Sequence, residues 1–384
     1  MQSFTLAPVP EITFGPGVLA TLPEKAKMLA GPSPRAMLVA DPALKPIGIT
    51  DRVMDALQMA GAAVALYEGF AGEPKTSDID KATALARDAK ADLIVALGGG
   101  SALDTGKLVA CCAASGKSAE AYQLCHEALP AARPPVICIP TTAGTGSEAT
   151  RTSVFTNEAG IKTWAWGAEL KPELALLDPE LTTGLPPAVT AATALDAMVH
   201  AIEASTNGRR FPANDLYCHR AIALIAKSLA RAVKDGFDIE ARGDLLLGSC
   251  YAGIGIDNAG TAVAHTISHA LATLAPVPHG RGTAIGMAAS IDWVAEGATE
   301  AFAAVAAAMG RKPEAKAAAK GFVTLARDAG LKLSLANDGL ELNRPELLAE
   351  RMALPENAPM RNATARKVSD DDLLMLAQRV YALR

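Results

Sequence analysis

At 384 residues the chain is longer than one ordinary domain, which makes two domains the expectation. It is 50% hydrophobic but only 4% aromatic, so its cores must be built from Ala, Val, Leu and Ile; a net charge of −5, with Lys and Arg scattered among acids, excludes a nucleic-acid partner. Neither a membrane-spanning apolar stretch nor a secretory leader is visible, and Cys111, Cys112, Cys125, Cys138, Cys218 and Cys250 show no CxxC spacing, so the expected setting is a reduced cytoplasm away from membranes.

In chain order, Phe4 to Phe14 reads as a strand entering the turn Gly15-Pro16-Gly17. Short apolar runs then alternate with amphipathic stretches: Ala36 to Asp41, Ala63 to Tyr67, Asp92 to Leu97, Val136 to Ile139 and Leu174 to Asp178, with helical patterns such as Asp51 to Ala60 and Ser77 to Ala89 between them. This rhythm predicts βαβ units and a mostly parallel sheet in a Rossmann-like α/β domain. Thr152 to Trp166 reads as a hairpin around Asn157-Glu-Ala-Gly160, with Lys162 on the returning strand.

Two loops fall at carboxyl ends of these strands, where open α/β sheets bind ligands. Gly98-Gly99-Gly100-Ser101 follows a strand and opens a helix that carries Asp104 and Lys107; glycines admit a phosphate close to the backbone, and the helix start offers free N–H groups. The run matches neither GxGxxG nor a Walker A sequence, and a plain tight turn explains it about as well. Pro140-Thr141-Thr142-Ala143-Gly144-Thr145-Gly146-Ser147-Glu148 offers four hydroxyls in a polar nest suited to phosphate and ribose. Asp41 ends an earlier strand, where a carboxylate accepts from a ribose diol and repels a 2′-phosphate, favouring NAD over NADP; a helix N-cap is the competing explanation.

Pro186-Pro187 marks a change to long Ala/Leu/Ile stretches of helical period, including Ala213 to Val233, Ile239 to Ile256, and Pro313 to Ala326 with Pro at the first helical position. The expected division is residues 1–185 as a dinucleotide-binding α/β domain and 186–384 as an all-α domain. Leu354 to Lys367 reads as irregular, and Ser369-Asp-Asp-Asp372 as the cap of a last helix.

Five of the six histidines lie between Asp196 and His279. Asp196 and His200 are spaced i, i+4, as are His265 and His269, so each pair projects from one helical face. His279 follows Pro278, where the chain turns and the ring can swing back. Imidazoles with a carboxylate suit a borderline divalent cation, Fe²⁺ or Zn²⁺. His219 stands alone and reads as a surface or core residue.

Together, Gly98-Gly-Gly-Ser101 with Asp104, Pro140 to Glu148, Asp196-xxx-His200, and His265-xxx-His269 with Pro278-His279-Gly280 resemble the iron-containing (group III) alcohol dehydrogenases, the family that includes lactaldehyde reductase and 1,3-propanediol dehydrogenase. The likeness runs nearly the full length. It implies a dehydroquinate synthase-like architecture, with catalysis in a cleft between a Rossmann-like and a helical domain, and a homodimer or larger homo-oligomer. Spacing alone pairs His265 with His269, whereas the resemblance assigns the metal to Asp196, His200, His265 and His279 and leaves His269 as a catalytic proton relay. It also implies an NAD site lined by Asp41, Gly98, Gly99, Gly100, Ser101, Asp104, Thr141, Thr142, Thr145, Ser147 and Lys162.

Three departures bear on substrate identity: Glu73-Pro74 where similar proteins have Asn-Pro, Ile256-Asp257-Asn258-Ala259 where many have Phe-Asn-Ala, and Ala363 to Arg366 in place of Asn-Pro-Arg. The expected pocket residues are Thr152, Ile256, Asp257, Met360 and Arg361. The resemblance implies reversible hydride transfer between NAD and a primary alcohol or its aldehyde. Rival readings on the same fold are a glycerol dehydrogenase, a maleylacetate reductase or a dehydroquinate synthase-like enzyme; from another class, a non-catalytic nucleotide-binding scaffold.

Overall fold

The computed structural model describes residues 3–70, 72–336 and 344–383, which form two compact units. The first comprises Pro8–Thr142 and Gly146–Gly184. Its strands are β1 (Glu11–Phe14), β2 (Arg35–Ala40), β3 (Ala63–Tyr67), β4 (Leu93–Gly98), β5 (Val136–Pro140), an antiparallel hairpin of β6 (Thr152–Thr156) and β7 (Lys162–Trp166), and β8 (Leu174–Leu177). Among the described residues six strands make one all-parallel sheet in the order β1-β8-β5-β4-β2-β3.

Side chains on a strand alternate between faces, and two apolar cores result. Ala36, Leu38, Leu93, Val95, Leu97, Ile137 and Ile139 point to the layer of helices α1 (Leu22–Ala30) and α2 (Ile49–Met59). Met37, Val39, Ile94, Ala96, Val136 and Cys138 point to the opposite layer of α3 (Thr76–Asp88) and α4 (Gly100–Ser115). From β2 the chain passes outward to β3 and then returns to the other side of β2 as β4. The sheet order therefore reverses beside β2 and β4, and the crevice beyond their carboxyl ends is the favoured ligand position.

The second unit contains residues 3–7, Ala143–Thr145 and residues 185–383. It is built from α5 (Pro187–Thr206), α6 (Pro212–Lys234), α7 (Ile239–Ala259), α8 (Val263–Ala272), α9 (His279–Ala295), α10 (Thr299–Ala308), α11 (Ala315–Asp328), α12 (Pro345–Ala353), α13 (Ala358–Ala363) and α14 (Asp370–Ala382). α5 is buried along most of its length and packs on α6, α7 and α9.

Three expectations are corrected. The first strand spans only Glu11–Phe14, because Pro8 and Pro10 have no N–H for a ladder; Phe4 instead stacks on Phe211 at 4.8 Å, and the Ala7 N–H donates to Asn258 Oδ1 at 2.8 Å. Pro313 lies before α11 rather than at its first position, since Glu314 is extended (φ −132°, ψ 134°) and forms the N-cap. The segment after Leu354 is irregular only from Thr364 to Lys367: Pro355–Asn357 is a 3₁₀ turn and Ala358–Ala363 is helical, with Pro355 and Pro359 in first turns where a missing N–H costs nothing. The Ser369 cap forms as a capping box with Asp372.

Candidate metal centre and nucleotide cradle

Asp196 and His200 lie one turn apart on α5, His265 on α8, and His279 at the first position of α9. One ligand atom from each of the four lies within 4.8 Å of the others. The Nε2 atoms of His200, His265 and His279 converge on a single oxygen, Asp196 Oδ1, at 3.9, 3.9 and 3.7 Å. These separations are too long for hydrogen bonds. They are close to the ~3.4 Å donor spacing of a tetrahedral cation with ligand bonds of about 2.1 Å, so the donor set fits a divalent metal.

Each ligand is oriented by a further group. The Gly144 carbonyl lies 3.2 Å from His200 Nδ1, and since a carbonyl only accepts, that ring nitrogen carries the proton. His265 Nδ1 lies 2.6 Å from Glu203 Oε2. The Ser268 hydroxyl donates to the carbonyl of His279, leaving its oxygen to accept from His279 Nδ1 at 3.4 Å. Thr283 donates its hydroxyl to Asp196 Oδ1 at 2.8 Å. All three rings thus direct an Nε2 lone pair inward. Burial pushes the His200 imidazole below its ordinary pKa against the pull of Asp196, which keeps the ring neutral and able to ligate.

The glycine after His279 brings these helices together. A Cβ on Gly280 would lie 2.4 Å from the Ala192 carbonyl oxygen and 3.4 Å from Asp196 Cβ, so only glycine lets the start of α9 approach α5 closely enough. His269 sits one turn beyond His265 on α8; its ring centroid is 5.6 Å from that of His279 and 6.4 Å from that of His265. It neighbours the cluster without belonging to it, although spacing alone pairs it with His265. His219 lies apart on α6.

In the other unit, the Asp41 N–H donates to Leu97 O at 2.9 Å across the β2/β4 boundary. Gly98 has φ 145°, and a Cβ there would lie 2.9 Å from Asp41 Cβ. Thr141 N–H donates to Gly98 O at 3.0 Å, and Thr142 borders Gly99. Asp41, Gly98, Gly99, Thr141 and Thr142 therefore meet at the carboxyl ends of β2, β4 and β5, where the strand order reverses, and Gly99 precedes α4, whose first residues are Gly100 and Ser101. Asp41 does act as an N-cap, its Oδ1 accepting from Ala43 N–H at 2.9 Å. Lys162 on β7 forms an ion pair with Glu73.

Asp104, one turn into α4, and Ser147 belong to a buried network. Asp104 Oδ1 accepts from Ser147 Oγ at 2.5 Å and pairs with Lys107 Nζ at 3.2 Å, while its Oδ2 accepts from Val154 N–H at 3.0 Å. Lys107 is fully buried and also donates to Ser147 O and Oγ and to Thr150 Oγ1. The network ties α4 to the loop after β5 and to the hairpin. Thr145 is grouped with the helical unit, in the same three-residue segment as Gly144. Among the expected pocket residues, Thr152 begins β6, Ile256 and Asp257 lie on α7, and Met360 and Arg361 on α13. The Arg361 guanidinium donates to the carbonyl of Met352 at 2.6 Å.

Glu203, Ser268, Thr283 and the carbonyl of Gly144 escape sequence reasoning. Glu203 alone leaves a trace: a charge three residues after His200 within the otherwise small and apolar run Ala201 to Ala204.

Residues 9–179 match the family described as "Iron-containing alcohol dehydrogenase", and residues 190–381 match "Fe-containing alcohol dehydrogenase family, C-terminal". Over 298 residues the chain is 37% identical to long-chain-alcohol dehydrogenase 1 of Geobacillus thermodenitrificans, covering 77% of this chain and 75% of that protein. A crystal structure of 1,3-propanediol oxidoreductase superposes with a TM-score of 0.92 at 30% identity, covering 99% of this chain and all of that one. Sulfoacetaldehyde reductase from Bifidobacterium kashiwanohense, solved in complex with NAD⁺, gives a TM-score of 0.90 at 26% identity over 100% of both chains.

Proposed function

The chain belongs to the iron-containing alcohol dehydrogenase family and is an oxidoreductase of that family, and from this premise we propose that it interconverts a primary alcohol and its aldehyde with NAD(H) and a divalent cation, Fe²⁺ with Zn²⁺ as the alternative. In this reading residues 1–185 carry the dinucleotide and residues 186–384 carry the metal, in a cytoplasmic homodimer or larger assembly. The observation that supports it most is the convergence of three imidazole Nε2 atoms on Asp196 Oδ1.

A bound divalent cation would supply Lewis acidity toward the oxygen of an alcohol or aldehyde, and a bound nicotinamide would supply the hydride chemistry. Asp196, His200, His265 and His279 hold the cation, their Nδ1 and carboxylate partners preventing ring rotation. Asp196, His200 and His265 are nearly fully buried, while His279 is 31% exposed and marks the open side of the cluster. His269, beside His279, carries the alcohol proton toward solvent and returns it in the reverse direction. Gly98 to Ser101, Thr141 and Thr142 would hold the pyrophosphate of a bound dinucleotide, Asp41 would accept from its adenosine ribose, and Lys162 would line the same site. Asp104 and Ser147 stiffen the cradle.

Protein purified anaerobically is analysed for metal and assayed for NADH oxidation against a panel of aldehydes. Metal-dependent turnover of aldehydes that disappears, together with bound metal, in Asp196→Ala and His265→Ala supports the assignment. Normal activity in either variant, or dehydratase-like turnover without net NADH oxidation, refutes it.

A further inference from the structure

We propose that Glu203 is a positioning residue of the metal centre, fixing the ring of His265 and supplying the charge that neutralises a divalent cation in this buried layer. The inference rests on the metal-site reading above. Glu203 follows Asp196 and His200 on the same stripe of α5, at i+7 and i+3, and is only 3% exposed. Its carboxylate is fully engaged: Oε2 accepts from Ala262 N–H at 2.8 Å and faces His265 Nδ1 at 2.6 Å, and Oε1 accepts from Ala264 N–H at 2.7 Å.

Three consequences follow from this geometry. A carboxylate that already accepts from two backbone N–H groups takes the proton of Nδ1 as its third donor, so His265 is the Nδ1–H tautomer and its Nε2 lone pair is directed at Asp196 Oδ1. The Ala262 and Ala264 N–H groups lie at the start of α8, the helix that bears His265, so one carboxylate clamps both the ring and the helix that carries it. Charge provides the third. A dication with one carboxylate and three neutral imidazoles leaves a net +1 among apolar helices, where an uncompensated charge is costly; Glu203 brings the total to zero. A residue that merely capped α8 would need neither the imidazole contact nor a full negative charge.

The test compares wild type with Glu203→Gln, an isosteric change that removes the charge and one of the two accepting oxygens. Both are stripped of metal and titrated with Zn²⁺ alone and with Co²⁺ alone, and the melting temperature of each metal-free form is recorded. Expected in Glu203→Gln are Zn²⁺ binding weakened about 10- to 100-fold and altered Co²⁺ ligand-field bands. A drop in the metal-free melting temperature measures capping alone. Wild-type Zn²⁺ affinity with an unchanged Co²⁺ spectrum in Glu203→Gln overturns the proposal while leaving the metal centre standing; wild type that binds neither ion overturns both. Should Glu203→Gln not fold, long-range ¹H–¹⁵N correlations of the zinc-loaded wild type decide: a proton on His265 Nδ1 upholds the assignment, and an unprotonated Nδ1 refutes it.

Discussion

Glu148 ends the loop that follows β5, and its side chain is sealed from solvent at 1% exposure. Oε1 meets no hydrogen-bond donor among the described residues. Burial pushes its pKa from 4.5 to about 7; its own backbone N–H and Lys107 oppose the rise, and Asp104 adds to it. Cys138 on β5 is a further titratable group that interacts with it, itself driven up by burial and therefore neutral near pH 7. A carboxyl whose folded pKa is raised lends its stability at acid pH. Below about 4.5 folded and unfolded forms are both protonated; as pH climbs to 7 the unfolded chain releases its proton first, and stability is lost. A change from 4.5 to about 7, at about 1.4 kcal/mol per pKa unit, amounts to about 3 kcal/mol by the time the folded group has ionised. Glu148→Gln cannot ionise and escapes this loss. Scanning calorimetry of metal-free, nucleotide-free protein from pH 4.5 to 8.5 measures it. The variant's melting temperature should rise relative to wild type by about 6–12 °C across that range, taking about 2–4 °C per kcal/mol for a unit of this size. Titrations of groups that do not interact with Glu148 are common to both proteins and cancel. A wild-type-minus-variant difference that stays flat with pH refutes the reasoning.

Other expectations follow from the same geometry. His269→Gln should retain metal at wild-type affinity while turnover falls about 10²- to 10⁴-fold, measured by metal analysis alongside steady-state assay; lost metal would make His269 a ligand instead of a relay. Gly280→Ala places a methyl on the Ala192 carbonyl, and should cost about 1–3 kcal/mol in denaturant unfolding and weaken Zn²⁺ binding as α9 moves off α5. Asp41→Gly removes the carboxylate expected to repel a 2′-phosphate, so the ratio of kcat/KM for NADPH to that for NADH should rise about tenfold or more. Lys162→Met should raise KM for NADH with little change in kcat, whereas Glu73→Gln, which breaks only the partly exposed ion pair with Lys162, should alter stability by less than about 1 kcal/mol.

The sequence by itself determined much of this protein. Alternating apolar runs and helical periods foretell a parallel sheet followed by a helical unit, because burial imposes a period of two on strands and 3.6 on helices. Local chemistry is equally legible: Ser369 reads as a cap, Asn157 to Gly160 as a turn, and Asp196-xxx-His200 as two ligands on one helical face. Tertiary structure decided which neighbours meet. His265 and His269 have identical local credentials, yet only His265 faces Asp196, since the approach of α9 to α5 at Gly280 brings His279 into that place. Glu203, Thr283 and Ser268 acquire their roles from partners on other helices or across a turn, as Asp104 and Lys107 do from Ser147. Periodicity reports which face of an element is buried; which polar group on that face meets which depends on helix crossings and loop paths, and these arise from packing between segments far apart in the chain.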